Sequence, residues 1–559
     1  MSRHVKVSVN CWLRCHFVAI VIFSAGCGMP SDATTPGPAA FSHGEPVAVT
    51  GGEITGVLID TSPEVLAFKG IPYAAPPTGD LRWRPPQPVV AWAGVRDGSA
   101  PGSVCMQSGV QDGSQSEDCL FLNVWAPQTH DPPRPVMVWI HGGGFFNGAG
   151  SLPTYDGTHF AEKGVVLVSI NYRLNVFGFL AHPALSDESP HGASGNYGLM
   201  DVVAALEWVQ DNIDAFGGDP NRVTIFGESA GAGAVMSVML MPQSAGLFHR
   251  AIAESNWVYG WDRQLSDSVG DWESAEAQGV DIASRLEASG EDTLLMMRAA
   301  TAEQVQAVAN AGSGNMFMRS GYIWAPNIDG WVIPADPLTM YQQGHQHDVP
   351  LITGMNAAEG ASMARRLDVQ DVNAFEEHVR MVYPGVVDQA MTLYDVSSAP
   401  MAKSETAHLI HDMYFAGPVR TQAVTHQQMS SPVWMYHFTR VPPTELGRTL
   451  GAYHAGEVVY VFGTMVSGAA PEGQRPSALA PFGNWSDTDR QLSDTMMNYW
   501  TQFAATGNPN RDDLPTWPAF ESSTDQHVVF GDEVTIAEGL HNAGADLFAA
   551  FEEHRRTGM

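Results

Sequence analysis

The chain has 559 residues, of which 44% are hydrophobic and 16% charged, a balance that fits a globular protein with a large core and excludes a disordered chain. Its net charge of −32 repels polyanions, so nucleic acid and anionic lipid are poor partners. Lysine occurs only at Lys6, Lys69, Lys163 and Lys403; salt adaptation, GC-rich coding and plain solubility all account for that.

The N-terminus places Arg3, Lys6 and Arg14 before the apolar run Phe17 to Phe23 and the small residues Ser24-Ala25-Gly26-Cys27. This is the pattern of an export signal over 1–27, too short for a membrane-spanning anchor. Ala25-Gly26-Cys27 also fits a bacterial lipoprotein box, with Cys27 as the lipidated residue, although Ser24 stands where that box usually has an apolar side chain. Lipidation, ordinary secretion to the periplasm or beyond, and a retained apolar N-terminus are the three readings. Residues 28–46, rich in Pro, Ser, Thr, Gly and Ala, form a flexible linker.

From Ile54 to Ile71 two alternating runs predict an antiparallel hairpin, followed by a proline-rich loop from Pro72 to Pro88. Cys105 and Cys119 are the only cysteines beyond the signal and its edge. In an oxidising compartment two thiols so near in sequence favour a disulfide, two buried free thiols being the alternative. Val136 to Ile140 is an apolar strand ending in His141-Gly142-Gly143-Gly144-Phe145, which fits a loop that turns successive N–H groups toward one oxygen. Its alternative is a flexible connection. Val165 to Tyr172 reads as a strand of a parallel sheet, and Leu199 to Asp214 carries apolar residues at helical spacing.

The stretch Phe216-Gly217-Gly218 to Gly231 follows. Val223, Ile225 and Phe226 predict a buried strand, and Ala232 to Leu240 a buried helix. Between them lies Gly227-Glu228-Ser229-Ala230-Gly231, the strand-turn-helix context of a nucleophile elbow, with glycines where side chains would collide and Ser229 exposed at the turn. A glycine-rich connection is the alternative for the five residues alone. With Phe216-Gly217-Gly218, Val223 and Ile225 in place, the sequence resembles the type-B carboxylesterase and cholinesterase family of α/β-hydrolases. Phe68-Lys69-Gly70-Ile71-Pro72-Tyr73, Arg82-Trp83, Glu117 to Val124, Trp500 to Asn510 and Trp517-Pro518 follow the family pattern too, so the likeness runs from about Glu53 to about Phe530.

That resemblance implies an α/β-hydrolase fold: a large, mostly parallel central sheet flanked by helices, with an antiparallel N-terminal hairpin and a helical cap. Length alone suggests several domains, but catalytic residues drawn from distant segments must meet on one sheet, so 47–559 is expected to be one domain. Ser229 is implied as nucleophile. Glu359, in Asn356-Ala357-Ala358-Glu359-Gly360 beyond the apolar strand Val349 to Gly354, takes the place of the acid; without the resemblance it would read as a solvated loop residue. His454, in Gly451-Ala452-Tyr453-His454-Ala455-Gly456-Glu457 ahead of Phe462-Gly463, takes the place of the general base, with Ala455 where the family commonly has glycine. By family position Gly143, Gly144 and Ala230 supply the oxyanion-hole N–H groups, and Cys105 to Cys119 is the first disulfide. A second family disulfide is missing, because no cysteine follows Cys119. His141 is expected to orient its loop. Glu228 is expected to point away from Ser229, into buried polar contacts behind the site.

The implied reaction is two-step acyl transfer through an acyl-enzyme, with no metal or organic cofactor. Lipase and carbamate hydrolase are alternatives within the family, and a non-catalytic cell-surface adhesion or binding module is the alternative outside catalysis. The stretch from Trp257 to Gln306, including Tyr259 and Trp261, is expected in the cap, and Met316 to Trp324 in the pocket wall. In choline-specific relatives the key tryptophan lies in the first disulfide loop, whereas Met106 to Asp118 contains no aromatic residue. The expected substrate is therefore an uncharged, short- to medium-chain ester, and the only expected membrane attachment is an N-terminal lipid.

Overall fold

The computed structural model describes residues 44–557, apart from 110–113, 130–131, 258–262, 269–272, 315–316, 318–320, 470–478 and 480–481. The export signal, Cys27, most of the linker, Tyr259, Trp261 and Met316 lie outside the described residues. All described residues belong to one compact unit.

Eleven strands form the main sheet: β1 (Val57–Ile59), β2 (Val65–Pro72), β3 (Phe121–Pro127), β4 (Arg134–Ile140), β5 (Val166–Ile170), β6 (Gly218–Glu228), β7 (Arg250–Glu254), β8 (Leu351–Asn356), β9 (Val433–Phe438), β10 (Gln526–Phe530) and β11 (Val534–Glu538). Their spatial order is β11-β10-β9-β8-β7-β6-β4-β5-β3-β2-β1. From β10 to β5 every neighbour is parallel, while both ends of the sheet are antiparallel. Parallel strands are buried on both faces, which is why they read as continuous apolar runs. On β4, Val136, Val138 and Ile140 enter one core while Met137 and Trp139 enter the other, as the twofold alternation of a strand requires.

Helix α1 (Tyr197–Asn212) delivers the chain to β6, and α2 (Ala230–Val238) leaves it. Helices α3 (Ala275–Arg285), α4 (Thr293–Ala299) and α5 (Ala302–Ala311) occupy the segment expected in the cap. Further on come α6 (Ala399–His411), continued by a π-helical turn over Asp412–Ala416, then α7 (Asp487–Thr506) and α8 (Asn542–Thr557).

The predicted N-terminal hairpin is shorter than its sequence pattern. Only Val57–Ile59 pairs with β2, while Gly52–Thr55 joins a separate three-stranded sheet with Val47–Val49 and Val95–Asp97. The run divides at Gly56, where the Phe68 ring lies so close that a Cβ would meet it at 2.7 Å. Alternation alone does not reveal which sheet each half joins.

Candidate active site

The chain crosses from β5 back over β4 to β6, so the topology switches direction between β4 and β6. In parallel α/β sheets the crevice beyond the strand ends at such a switch receives ligands. Register pairs Ile140 of β4 with Gly227 of β6, which sets the His-Gly-Gly-Gly loop beside the elbow.

At the elbow Ser229 adopts φ 57° and ψ −121°, a conformation rarely open to a side chain. Its neighbours have no room for one: a Cβ on Gly231 would lie 1.9 Å from the Ile140 carbonyl oxygen, and one on Gly227 would meet that oxygen at 2.5 Å and the Gly231 backbone at 2.6 Å. The turn is tied down where the Ser229 N–H donates to the Glu254 carbonyl at 2.9 Å. Helix α2 begins at Ala230, so its free N–H groups and positive dipole end face the space beside the hydroxyl.

The loop after β4 reaches the same space. Gly143 and Gly144 have φ of 111° and 66°, and a Cβ on Gly142 would lie 2.7 Å from a Glu228 carboxylate oxygen and 3.2 Å from the Ser229 Cβ. His141 is buried, with its ring stacked on Tyr172 and Nδ1 2.8 Å from the Gly142 carbonyl oxygen. Burial pulls its pKa down to about 4, so the ring is neutral and Nδ1–H can donate to that carbonyl. The Tyr172 hydroxyl donates to the His141 carbonyl at 2.9 Å. His141 thus steadies its loop, as its position in the sequence suggests.

His454 stands opposite. Its Nε2 lies 2.9 Å from the Ser229 Oγ and its Nδ1 2.5 Å from the Glu359 Oε2. The other Glu359 oxygen accepts from the Ser255 hydroxyl and the Asn356 N–H, both at 2.6 Å. Glu359 follows β8, Ser229 follows β6, and His454 lies in the longer connection after β9, so residues 225 positions apart in sequence meet through the parallel register. Ala455 has φ 65°: the position is left-handed, a conformation that favours glycine, and alanine occupies it against a steric cost. Phe415, in the π-helical turn, packs against the His454 ring at 4.9 Å.

Glu228 departs from expectation. Its side chain does not turn away from the reacting groups: Oε1 lies 3.2 Å from His454 Nε2. Burial raises the Glu228 pKa to about 7, opposed by the His454 charge and reinforced by that of Glu359. For His454 burial acts downward, but the charges of Glu228 and then Glu359 outweigh it and raise the pKa to about 9. Beneath them lie two more buried carboxylates. Burial raises Glu254 to about 8, despite the Trp500 indole N–H donating to it at 2.8 Å. Burial also holds Glu457 well above the usual carboxylate range, while Asn356 Nδ2 donates to it.

Cys105 and Cys119 are joined. The loop they close is fixed to the glycine loop by Gln107, whose amide exchanges two hydrogen bonds of 2.9 Å with the Gly148 backbone. Neither Gln107 nor Ser255 stands out in the sequence. Gln107 sits in a short polar segment, and the one signal for Ser255 is its position just past the end of a parallel strand beside the elbow.

Fold and geometry together define an α/β-hydrolase whose candidate site presents a serine, a histidine and a glutamate in hydrogen-bonded series. Residues 44–548 match the model of the Carboxylesterase family, and the chain belongs to that family. It is 36% identical over 533 residues to Fumonisin B1 esterase of Sphingopyxis macrogoltabida, covering 94% of this chain and 92% of that protein. It is 35% identical over 487 residues to para-nitrobenzyl esterase of Bacillus subtilis (strain 168), covering 84% of this chain and 92% of that one. A solved PNB esterase structure superimposes with a TM-score of 0.76 at 33% identity, covering 91% of this chain and all of that chain. The family hydrolyses carboxylic esters, and the expected α/β-hydrolase fold, a large sheet flanked by helices, is that of the solved PNB esterase.

Proposed function

We propose that Ser229 is the nucleophile of a serine carboxylesterase, His454 its general base and Glu359 the acid that orients the base. The observation that carries this is the series Ser229 Oγ, His454 Nε2, His454 Nδ1, Glu359 Oε2, with links of 2.9 and 2.5 Å. His454 takes the serine proton as Oγ attacks the ester carbonyl, then gives it to the leaving alcohol; water activated by the same nitrogen releases the acid. The N–H groups of Gly143, Gly144 and Ala230 stabilise the oxyanion, a contribution of about 3–4 kcal/mol for one such donor in other serine hydrolases.

The substrate we assign is an uncharged, short- to medium-chain ester. Two features support it: the first disulfide loop carries no aromatic residue, and the candidate aromatics further on are occupied. Tyr322 has the Arg285 guanidinium over its ring at 5.5 Å, and Trp324 is 1% exposed. The test is a fluorophosphonate probe, followed by a hydrolysis screen. The probe should modify Ser229 once per chain by peptide mass analysis, and prior reaction should abolish turnover. Labelling elsewhere, with Ser229 unmodified, would overturn the assignment. The screen should span acyl length and include a p-nitrobenzyl ester and fumonisin B1, the substrates in the relatives' names.

We further propose export through the signal at 1–27, with Cys27 as the lipid attachment point. Among the described residues no helix is long and apolar enough to cross a membrane. Metabolic labelling with a fatty-acid analogue in a bacterial host should mark the protein, and Cys27→Ser should abolish the label. An unlabelled protein with a mature N-terminus other than Cys27 would point to secretion without a lipid.

A further inference from the structure

Three side chains converge from two segments beside the π-helical turn. His411 ends α6, Asp412 opens the turn, and His541 stands immediately ahead of α8. One potential ligand atom from each lies within 4.8 Å of the others. His411 is 97% buried from solvent (3% exposed), yet among the described residues neither of its ring nitrogens has a hydrogen-bond partner, and Asp412 Oδ1 also lacks one. A buried imidazole with both nitrogens unpaired is costly, and such groups normally have a reason to be there.

We propose that His411, Asp412 and His541 form a binding site for one divalent transition-metal ion of the zinc, cobalt or nickel type. His541 Nδ1 is 3.3 Å from Asp412 Oδ1, about the spacing of two ligands each 2.0–2.2 Å from a tetrahedral ion. The His541 side chain is 37% exposed, which gives the ion a route in from solvent. The carboxylate is already oriented: the Tyr394 hydroxyl donates to its other oxygen at 2.8 Å, the outer support that ligating carboxylates require. It is also cradled, since a Cβ on Gly544 would lie 2.2 Å from the Asp412 Cγ. Two imidazoles with one carboxylate suit zinc, cobalt or nickel, whereas calcium and magnesium need a shell of oxygens.

Further imidazoles crowd the same place. The His437 ring is 5.8 Å from that of His541, and His527 is 6.2 Å from His437. The ion would clamp α8 to the turn that carries Phe415, and Phe415 packs on His454. The role assigned to it is structural bracing of that wall, distinct from the acyl-transfer groups.

The test uses untagged full-length chain stripped with EDTA and dialysed, then titrated with Co²⁺ under visible absorption and with Zn²⁺ in the calorimeter. One equivalent of Co²⁺ should bind with the ligand-field bands of a nitrogen- and oxygen-ligated ion, and Zn²⁺ should displace it. His541→Ala and Asp412→Asn should each weaken binding by about tenfold or more, with circular dichroism and metal-free esterase turnover unchanged. His541 is partly exposed, so its variant keeps the test informative if a change at Asp412 disturbs folding. Failure of the parent to bind one equivalent at micromolar Co²⁺, or binding by His541→Ala as tight as the parent's, would overturn the proposal.

Discussion

Glu228 Oε1 approaches His454 Nε2 to 3.2 Å, and that same nitrogen faces the Ser229 hydroxyl at 2.9 Å. His454 therefore stands between two carboxylates, Glu359 at one nitrogen and Glu228 at the other. The Glu228 charge is the largest influence raising the proton affinity of His454.

This arrangement fixes the direction of the pH profile. Only neutral His454 can accept the serine proton, and its pKa is raised to about 9. Activity should therefore be lost as pH falls through that raised value. The acid limb of kcat/KM should lie above 6.5, the ordinary imidazole value. Glu228→Gln keeps the shape and removes the charge, so the limb should move about 1–3 pH units lower. A limb unmoved by this substitution, or displaced upward, would contradict the electrostatic role given to Glu228.

Gly231→Ala tests the elbow. With the Ile140 carbonyl only 1.9 Å from the added methyl, strand or helix must shift, at a cost of about 1–3 kcal/mol of stability. The shift also moves Ser229 relative to His454, so kcat should fall along with the melting temperature. A variant as stable and active as the parent would show that the turn is looser than described.

The Cys105–Cys119 bridge closes a loop of about 15 residues and should contribute roughly 3 kcal/mol in the chain-entropy view. Because Gln107 within the loop holds the Gly148 backbone, its loss should also lower kcat. Chemical denaturation and kinetics of the Cys105→Ser, Cys119→Ser double variant measure both effects. Unchanged stability and turnover would make the bridge dispensable.

The absence of any aromatic residue from Met106 to Asp118 predicts a preference between esters. Desolvated cation–π contact is worth about 2 kcal/mol, and Tyr322 already gives a face to Arg285. A neutral butyrate ester should exceed butyrylcholine of similar size by about tenfold or more in kcat/KM. Equal or better hydrolysis of the choline ester would mean that a cation site exists elsewhere in the pocket.

Much of this was legible in the sequence because the parallel strands are continuous apolar runs, and because glycines mark places where the backbone has no space. Ser229 lies where a buried strand breaks at paired glycines, whereas Glu359 and His454 are placed by the likeness of their segments to the family pattern. Glu228 differs from the outward direction its place on a sharp turn predicts: it lies against His454, a neighbour from a distant segment that no local pattern reveals. Ser255, Gln107 and the His411–Asp412–His541 group are set by tertiary contacts between distant segments, and no local pattern announces them. Likewise, nothing local separates the halves of the N-terminal run, which part at Gly56 to join different sheets.

The central claim, that Ser229 is the acyl-accepting nucleophile, is tested most directly by Ser229→Ala. The hydroxyl belongs to chemistry rather than packing, so turnover of a neutral butyrate ester should fall on the order of 10⁶-fold while circular dichroism and melting temperature stay within error of the parent. Residual activity within tenfold of the parent, in a folded variant, would contradict the account.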